Sequence, residues 1–454
     1  MSTSNSIDLR LSNFPRGSQL EVVYEGRKLP AFAGETVAVA LLAAGVQVLS
    51  RSIKFHRPRS VFCMTGDCGA CLMRIGGEPN VRACQTLVQP GLSCQRQNAW
   101  PSASLDVLGA ADLMFPEGMD HHALMTSPRL LNQVMQRVVQ ELGGLGRLPD
   151  HAPSLSELPV GQSRHVQVLV IGGGPAGLAA ATAAATALPR TDGAVLLVDA
   201  APEPGGSYLS HAAYGRAAAE QAIAEASAAG VQILSQAAAI GYYPEETTDA
   251  APPNSKGLLA VATPHGMFKL TADRYVYATG GHPQNALFID NDLPGVMSGR
   301  AVGRLLTGHG ILLSERPLVV GDSDEAEALA TALQAAGAQV TRIDGKQQHV
   351  AQAFGSPWVD GAQVQDQRGQ QHHVRCDLIA VVSPPAAASQ LAQLHGARVA
   401  FDPQHGFAVV TDAHGQTSAT AVLACGEVTG CGSLAAAVLQ GRAVGAAAAA
   451  GLSG

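Results

Sequence analysis

Charged and aromatic side chains are scarce in this chain of 454 residues: 14% are charged, 4% are aromatic, and there are two tryptophans. Disordered chains carry high charge and little apolar surface, so this composition excludes that class and implies a compact protein. Strong basicity is also missing. The formal net charge is −7, which disfavours nucleic acid and anionic membrane surfaces as partners. No uninterrupted apolar run is long enough for a transmembrane span. The C-terminal stretch SLAAAVLQGRAVGAAAAAGL is interrupted by Gln440 and Arg442 and reads as a buried helix. The opening MSTSNSIDLRLSNFPRGSQL lacks the apolar core of a secretory signal, so a reducing, cytoplasmic setting is expected. The length accommodates two or three domains with substantial cores.

Cysteine is concentrated. Cys63, Cys68, Cys71 and Cys84 lie in CMTGDCGACLMRIGGEPNVRAC, the first three spaced C-x4-C-x2-C. A tight loop of this kind presents several thiolates to a compact iron–sulfur core, with the fourth arriving from nearby chain. Gly66 and Gly69 stand where the loop must bend and where backbone N–H groups must approach sulfur. Structural zinc favours paired C-x2-C knuckles set apart, unlike this crowding. Disulfides fit a reducing compartment poorly. Cys94 is a spare and reads as a small buried hydrophobe. The scaffold is legible too: residues 20–33 read as a hairpin turning at Glu25-Gly26, and 34–45 as an amphipathic helix closed by Gly45. Two strands, a helix and a cysteine loop resemble the β-grasp fold of [2Fe–2S] ferredoxin domains, in the short-spaced form embedded in larger oxidoreductases.

Residues 95–165 read as a connector. Within it 127–144 has apolar residues at helical spacing and a Gly-Gly stop, and 147–165 is a Pro- and Ser-rich linker. A new module opens at Val166 with VQVLVIGGGPAGLAAATAAAT. Gly172, Gly174 and Gly177 occupy the G-x-G-x-x-G positions, with Pro175 and Ala176 between them, after a strand and before a helix. Gly172 permits the turn, Gly174 admits a pyrophosphate, and Gly177 allows close helix–strand packing. The helix N-terminus stabilises phosphate charge. Asp199 ends the next strand, AVLLVDA, where it can accept hydrogen bonds from a ribose diol.

Three further segments resemble flavoproteins with two dinucleotide domains, such as thioredoxin and glutathione reductases. They are Pro204-Gly205-Gly206 after Asp199, the A-T-G segment Ala278-Thr279-Gly280, and the closing segment around Gly426, Glu427 and Gly432. The resemblance implies FAD, with NAD or ATP as alternatives at the same site. Those proteins usually carry Gly-Asp where this chain has Gly426-Glu427, and the extra methylene shifts the grip on a ribityl chain. The helix starting near Gly432 would direct its positive end at the flavin pyrimidine. No cysteine pair follows Gly206, which excludes a disulfide reductase of the glutathione type. Cys425 and Cys431 read as core cysteines beside a Gly-rich turn. His121-His122 and His372-His373 lack nearby ligand partners in the sequence, and no nucleophile–base pair for substrate chemistry stands out.

Residues 316–344 read as a second nucleotide fold with a degraded fingerprint: Gly321 is followed by Ser323 and Ala326 where glycines are usual. Asp322, Asp324 and Glu325 suit the helix dipole but repel a pyrophosphate, so NAD(P) at this site stays open against a retained structural domain. Upstream of the cysteines, Lys54, His56, Arg57 and Arg59 form a basic cluster. It could stabilise a reduced cluster, hold a flavin phosphate such as that of FMN at a subunit boundary, or be a solvated loop.

The order of modules, together with SIKFHRPRS (52–60), EPNVRACQTLVQPGL (78–92), QNAWPS (97–102) and GLGRLP (144–149), resembles the alpha-subunit family of heterotetrameric sarcosine oxidase. Related subunits of opine and proline dehydrogenases and hydrogen cyanide synthase share the pattern. The resemblance implies an α/β flavoprotein with two dinucleotide-binding domains, like glutathione and thioredoxin reductases, and an N-terminal β-grasp [2Fe–2S] domain. The expected organisation is a cluster domain over 1–100, a helical connector and linker over 101–165, a FAD-type domain over 166–300 and 405–454, and an inserted NAD-like domain over 301–404. It also implies an electron-transfer role beside a catalytic beta subunit resembling D-amino-acid oxidase, with a small additional subunit as an open member and the electron acceptor unspecified. No aminomethyltransferase-like half is expected after the closing helix, so folate-linked formaldehyde capture is not implied. All four cysteines stand, which points toward the dehydrogenase and cyanide-synthase branch.

Overall fold

The structure is a computed structural model that describes residues 7–52, 55–99, 102–103, 132–133, 148–151, 153–154, 157, 159–189, 193–244 and 257–452. The helix expected over 127–144, His121-His122 and Lys54 lie outside the described residues, apart from Asn132 and Gln133. The chain divides into two compact units, Met1–Ala152 with Asn285–Val382, and Pro153–Gln284 with Ser383–Gly454.

In the first unit the expected hairpin forms from strands Gln19–Tyr24 and Arg27–Phe32, in antiparallel register around Glu25-Gly26. They join a mixed five-stranded sheet in the order Arg27–Phe32, Gln19–Tyr24, Ser93–Gln95, Leu72–Ile75, Glu78–Arg82. The parallel pairing of Gln19–Tyr24 with Ser93–Gln95 needs a crossover. The helix Val37–Ala43 lies within that crossover and is buried along its whole length. Thr36 caps it, its side chain accepting from the Val39 N–H, and Gly45 leaves it at φ +79°, the left-handed conformation that ends helices. This is the β-grasp arrangement.

The same unit holds a parallel four-stranded sheet, ordered Val296–Ser298, Leu378–Val381, Pro317–Val320, Thr341–Ile343, with the helix Asp324–Ala335 crossing between the last two in sequence fashion. A three-stranded antiparallel sheet, Gln348–Gly355, Val359–Asp366 and Gln371–Val374, is inserted in the chain between Thr341–Ile343 and Leu378–Val381. One apolar core runs through the unit, from Val22, Leu41 and Met73 to Met297, Leu305, Leu329 and Ala380.

The second unit is built on a seven-stranded sheet. Its parallel part runs Gln232–Leu234, Val195–Val198, Gln162–Ile171, Gly266–Tyr277, and Val422–Ala424 also lies parallel on Gly266–Tyr277. The first strand starts at Gln162, ahead of the Val166 expected from hydropathy alone, because the polar residues 162–165 find ladder partners in Phe268–Thr271. Helices Pro175–Ala187 and Leu434–Ala449 pack on this sheet against Val168, Val170, Val276 and Leu423. They cross closely through small residues. A Cβ on Gly441 or Gly445 would fall inside the carbonyl oxygens of Ala176 and Ala180. Among the described residues no helix is long and apolar enough to cross a membrane.

Candidate functional site

Two candidate centres lie one in each unit. In the first, the loop from Cys63 to Cys71 precedes the strand Leu72–Ile75, and Cys84 follows the strand Glu78–Arg82, so the hairpin between them brings the ends together. Cys63, Cys71 and Cys84 are each only 2–3% exposed, and Cys68 faces solvent. The thiols are in mutual reach. Hydrogen bonds from Cys68 and Cys84 hold the Cys63 thiol far below its usual range, and one from Cys84 lowers Cys71. As the donors, Cys68 and Cys84 are pushed up. Backbone amides also reach sulfur: Thr65 N–H donates to Cys63 Sγ at 3.4 Å and Ala70 N–H to Cys68 Sγ at 3.4 Å. Gly66 and Gly69 turn the loop at φ +87° and +66°.

Among the described residues no three or more His, Cys, Asp or Glu side chains are arranged to hold a single metal ion. A binuclear cluster asks for something different, two pairs of thiolates with N–H groups directed at sulfur. The donor set and its pairwise contacts fit that demand. Cys94 is fully buried in the strand Ser93–Gln95, and burial pushes its thiol up to about 11.

Two arginines of the basic cluster upstream are committed elsewhere. Arg57 reaches Asp290 at 2.7 Å and Asp292 at 2.8 Å, and Arg59 reaches Asp292 at 3.2 Å. His56 is buried in a left-handed conformation with Nδ1 at 3.2 Å from the Asn98 carbonyl. Arg57 and Arg59 thereby fasten two parts of one unit.

In the second unit, the candidate dinucleotide site forms where the parallel strands end. Gly172 follows Ile171 at φ +108°, and a Cβ there would meet the Ala278 carbonyl carbon at 2.7 Å. Gly177 is forced in the same way, since its Cβ would fall inside the Gly172 carbonyl oxygen. Gly174 differs: a Cβ would meet nothing nearer than Gly206 Cα at 3.9 Å, so the space over this residue is open to a ligand. Gly174 is the N-cap of helix Pro175–Ala187, which begins with Pro175 and buried Ala176 and Gly177. Gly205 N–H donates to the Gly173 carbonyl at 2.8 Å, which seats Gly205-Gly206 beside the turn.

Asp199 sits at the end of the strand Val195–Val198. Its carboxylate accepts from Gly173 N–H and, at 2.7 Å, from Ala201 N–H. It therefore organises the turn as well as offering remaining lone pairs to a diol. Thr279 Oγ donates to the Ala388 carbonyl at 2.7 Å. Gly280, at φ +73°, lies beside Glu427, whose Oε2 is 3.7 Å from where a Gly280 Cβ would stand. The structure thus draws Gly172, Gly174, Gly177, Gly205, Gly206, Asp199, Thr279, Gly280, Gly426 and Glu427 to one end of the sheet. Gly432 is exposed and precedes the helix Leu434–Ala449, which starts after its N-cap Ser433.

Sequence reasoning missed Gln440. Its Oε1 accepts from Gly426 N–H at 2.8 Å, and its amide bonds Thr429 Oγ at 3.2 Å, so it fixes the Gly426-Glu427 turn. A polar residue inside an Ala-rich helix was the available signal. Cys425 is fully buried, its thiol pushed up to about 12 by desolvation, as expected of a core cysteine. His373 stacks on Phe354 at 5.7 Å.

The acidic turn of the second nucleotide fold is filled by ion pairs. Asp322 pairs with Lys346, Glu325 with Arg300 at 2.9 Å, and Glu327 with Arg342. Ser323 caps the helix Asp324–Ala335.

Residues 17–99 match the model of a 2Fe-2S iron-sulfur cluster binding domain, and residues 166–364 that of a pyridine nucleotide-disulphide oxidoreductase. Sarcosine oxidase subunit alpha of Rhizobium meliloti (strain 1021) is 32% identical over 72% of this chain and 34% of its own length. The same subunit of Corynebacterium sp. (strain P-1) is 28% identical over 73% and 31%. Hydrogen cyanide synthase subunit HcnA of Pseudomonas aeruginosa is 36% identical over 18% of this chain and 77% of its own length. The chain spans about a third of the length of the sarcosine oxidase subunits it matches. The solved L-proline dehydrogenase from P. horikoshii has the same fold, with a TM-score of 0.71 at 20% identity over 97% of this chain and 75% of that one. With the cysteine loop and the dinucleotide turn both in place, the identity and coverage establish that this chain belongs to the sarcosine oxidase alpha-subunit family.

Proposed function

We propose that this chain is the electron-transfer subunit of a heteromeric, flavin-dependent amine or amino-acid dehydrogenase or oxidase. It relays electrons between the flavin of an oxidase-like partner and an acceptor. The observation that carries the reading is the presence of two candidate redox sites in one chain, four converging thiols and a dinucleotide turn. A flavin supplies exchange of electrons in pairs or singly, and a [2Fe–2S] cluster supplies single-electron exchange.

The roles of the chain's own residues follow. Cys63, Cys68, Cys71 and Cys84 hold the cluster, and the Thr65 and Ala70 amides stabilise charge on sulfur. The Gly174 cradle and the helix behind it take the pyrophosphate of FAD. Asp199 holds the turn and would accept from the ribose of FAD, and Glu427, beside Gly280, would be available to the remainder of the cofactor. The partner is a catalytic subunit resembling D-amino-acid oxidase, which takes hydride from the amine, and the complex works in the cytoplasm.

Use of NAD(P)H as the donor is disfavoured. Asp322, Glu325 and Glu327 stand at the second turn, where a pyrophosphate would have to displace Lys346, Arg300 and Arg342 from them. The test is a visible spectrum with iron and flavin analysis of the purified chain, followed by addition of amines with and without the partner. Oxidised flavin bands over a [2Fe–2S] envelope, and amine-driven bleaching only with the partner, support the proposal. Amine oxidation by the chain alone at ordinary enzymatic rates would overturn it.

A further inference from the structure

Two of the sulfurs receive hydrogen bonds from backbone amides, Cys63 from Thr65 and Cys68 from Ala70, each at 3.4 Å. Cys84 is served differently. The side-chain amide of Gln85 donates toward Cys84 Sγ at 3.6 Å, and also reaches the Cys84 carbonyl at 3.1 Å and the Met64 carbonyl at 3.3 Å. This amide therefore ties the first limb of the cysteine loop, through Met64, to the last ligand. The methylenes of Gln85 lie over Gly66, where a Cβ would stand 3.0 Å from Gln85 Cγ. Gly66 is accordingly also a seat for Gln85, beyond its role as a bend. The backbone around Gln85 is fixed independently, its N–H donating to the Arg82 carbonyl at 3.0 Å.

We propose that Gln85 is a positioning residue that closes the cysteine loop and raises the reduction potential of the cluster, resting on the reading of the four cysteines as [2Fe–2S] ligands. The physical reason is electrostatic. Adding an electron increases negative charge on the ligand sulfurs, and an N–H directed at sulfur stabilises that charge more in the reduced than in the oxidised state. Because this donor is on a side chain, a substitution removes it without touching the backbone.

The experiment uses the full chain with Gln85→Met, which keeps the methylenes over Gly66 and removes the N–H. Gln85→Glu, of the same length, places oxygen lone pairs where the amide had hydrogens. Iron and sulfide are measured first, then the midpoint potential by redox titration followed by EPR of the reduced state. A lower potential in Gln85→Met, a lower one still in Gln85→Glu, and altered g-values support the proposal. Potentials and g-values equal to the unsubstituted chain, at full iron content, overturn it. If Gln85→Met fails to assemble a cluster, the comparison of Gln85→Glu with the unsubstituted chain decides. Absence of iron and sulfide from the unsubstituted chain is a separate result and defeats the cluster reading itself.

Discussion

Replacing Gly445 with alanine sets two effects of opposite sign against each other. Gly445 lies inside the helix Leu434–Ala449, where alanine is favoured over glycine by about 1 kcal/mol. Against that gain stands the helix crossing. The new Cβ would lie 2.7 Å from the Ala180 carbonyl carbon and inside its oxygen, and these are backbone atoms that no rotamer change can move. Overpacking of this kind costs about 1–3 kcal/mol, and the backbone contact puts this case at the upper end. The net expectation is a loss of about 1–2 kcal/mol. In a unit of roughly 200 residues that lowers the unfolding midpoint by about 2–8 °C. The helices must separate, and the second carries Gln440, which fixes the Gly426-Glu427 turn, so bound flavin should fall with stability. Thermal unfolding followed by flavin fluorescence, with flavin counted per chain, reads both. Gly432→Ala is the control for stability alone, since its Cβ meets nothing within 4 Å. A Gly445→Ala chain as stable as the original, with full flavin, would refute the crossing argument.

Three further outcomes are expected. Cys84→Ser should abolish the iron–sulfur absorption while leaving flavin bound, since the two sites lie in different units; this is checked by iron content and the visible spectrum. His395 is held neutral by burial, its pKa lowered to about 4, where its ring stacks on Tyr242 at 3.5 Å and Nδ1 shares a hydrogen bond with Tyr277 OH at 3.0 Å. A depressed folded value means that stability is full above the unfolded pKa near 6.5 and declines as pH falls toward 4. His395→Phe should flatten that part of the acid limb in denaturation measured across this window. Asp292→Asn removes an acceptor shared by Arg57 and Arg59; because the group is part-exposed, the cost should stay at about 1 kcal/mol or less by urea denaturation, and fall further in high salt.

Local chemistry explains what was legible in the sequence. The β-grasp hairpin and Val37–Ala43 helix follow from alternation, a Thr cap and a closing Gly45, all within short stretches. The roles of Gly172 and Gly177 follow because strand, turn and helix are consecutive. Contacts between distant segments were not legible. The seating of Gly441 and Gly445 on Ala176 and Ala180 needs two helices far apart in sequence, and small residues in an Ala-rich helix do not announce a crossing. The basic KFHRPR stretch left three readings open, and only the approach of Asp290 and Asp292 shows where Arg57 and Arg59 spend their charge. The position of Asp199 after a strand marks it as a ribose acceptor, whereas its bonds to Gly173 and Ala201 depend on the folded turn. Gln85 escaped notice because a glutamine next to a cysteine has no pattern of its own.

The central claim, two redox centres in one chain, is tested most directly by counting electrons. The purified chain is titrated anaerobically with a chemical reductant while flavin and iron–sulfur absorbances are followed. Uptake of about three electrons per chain is expected, two for the flavin and one for the cluster. An end point at two electrons, one or none would contradict the relay.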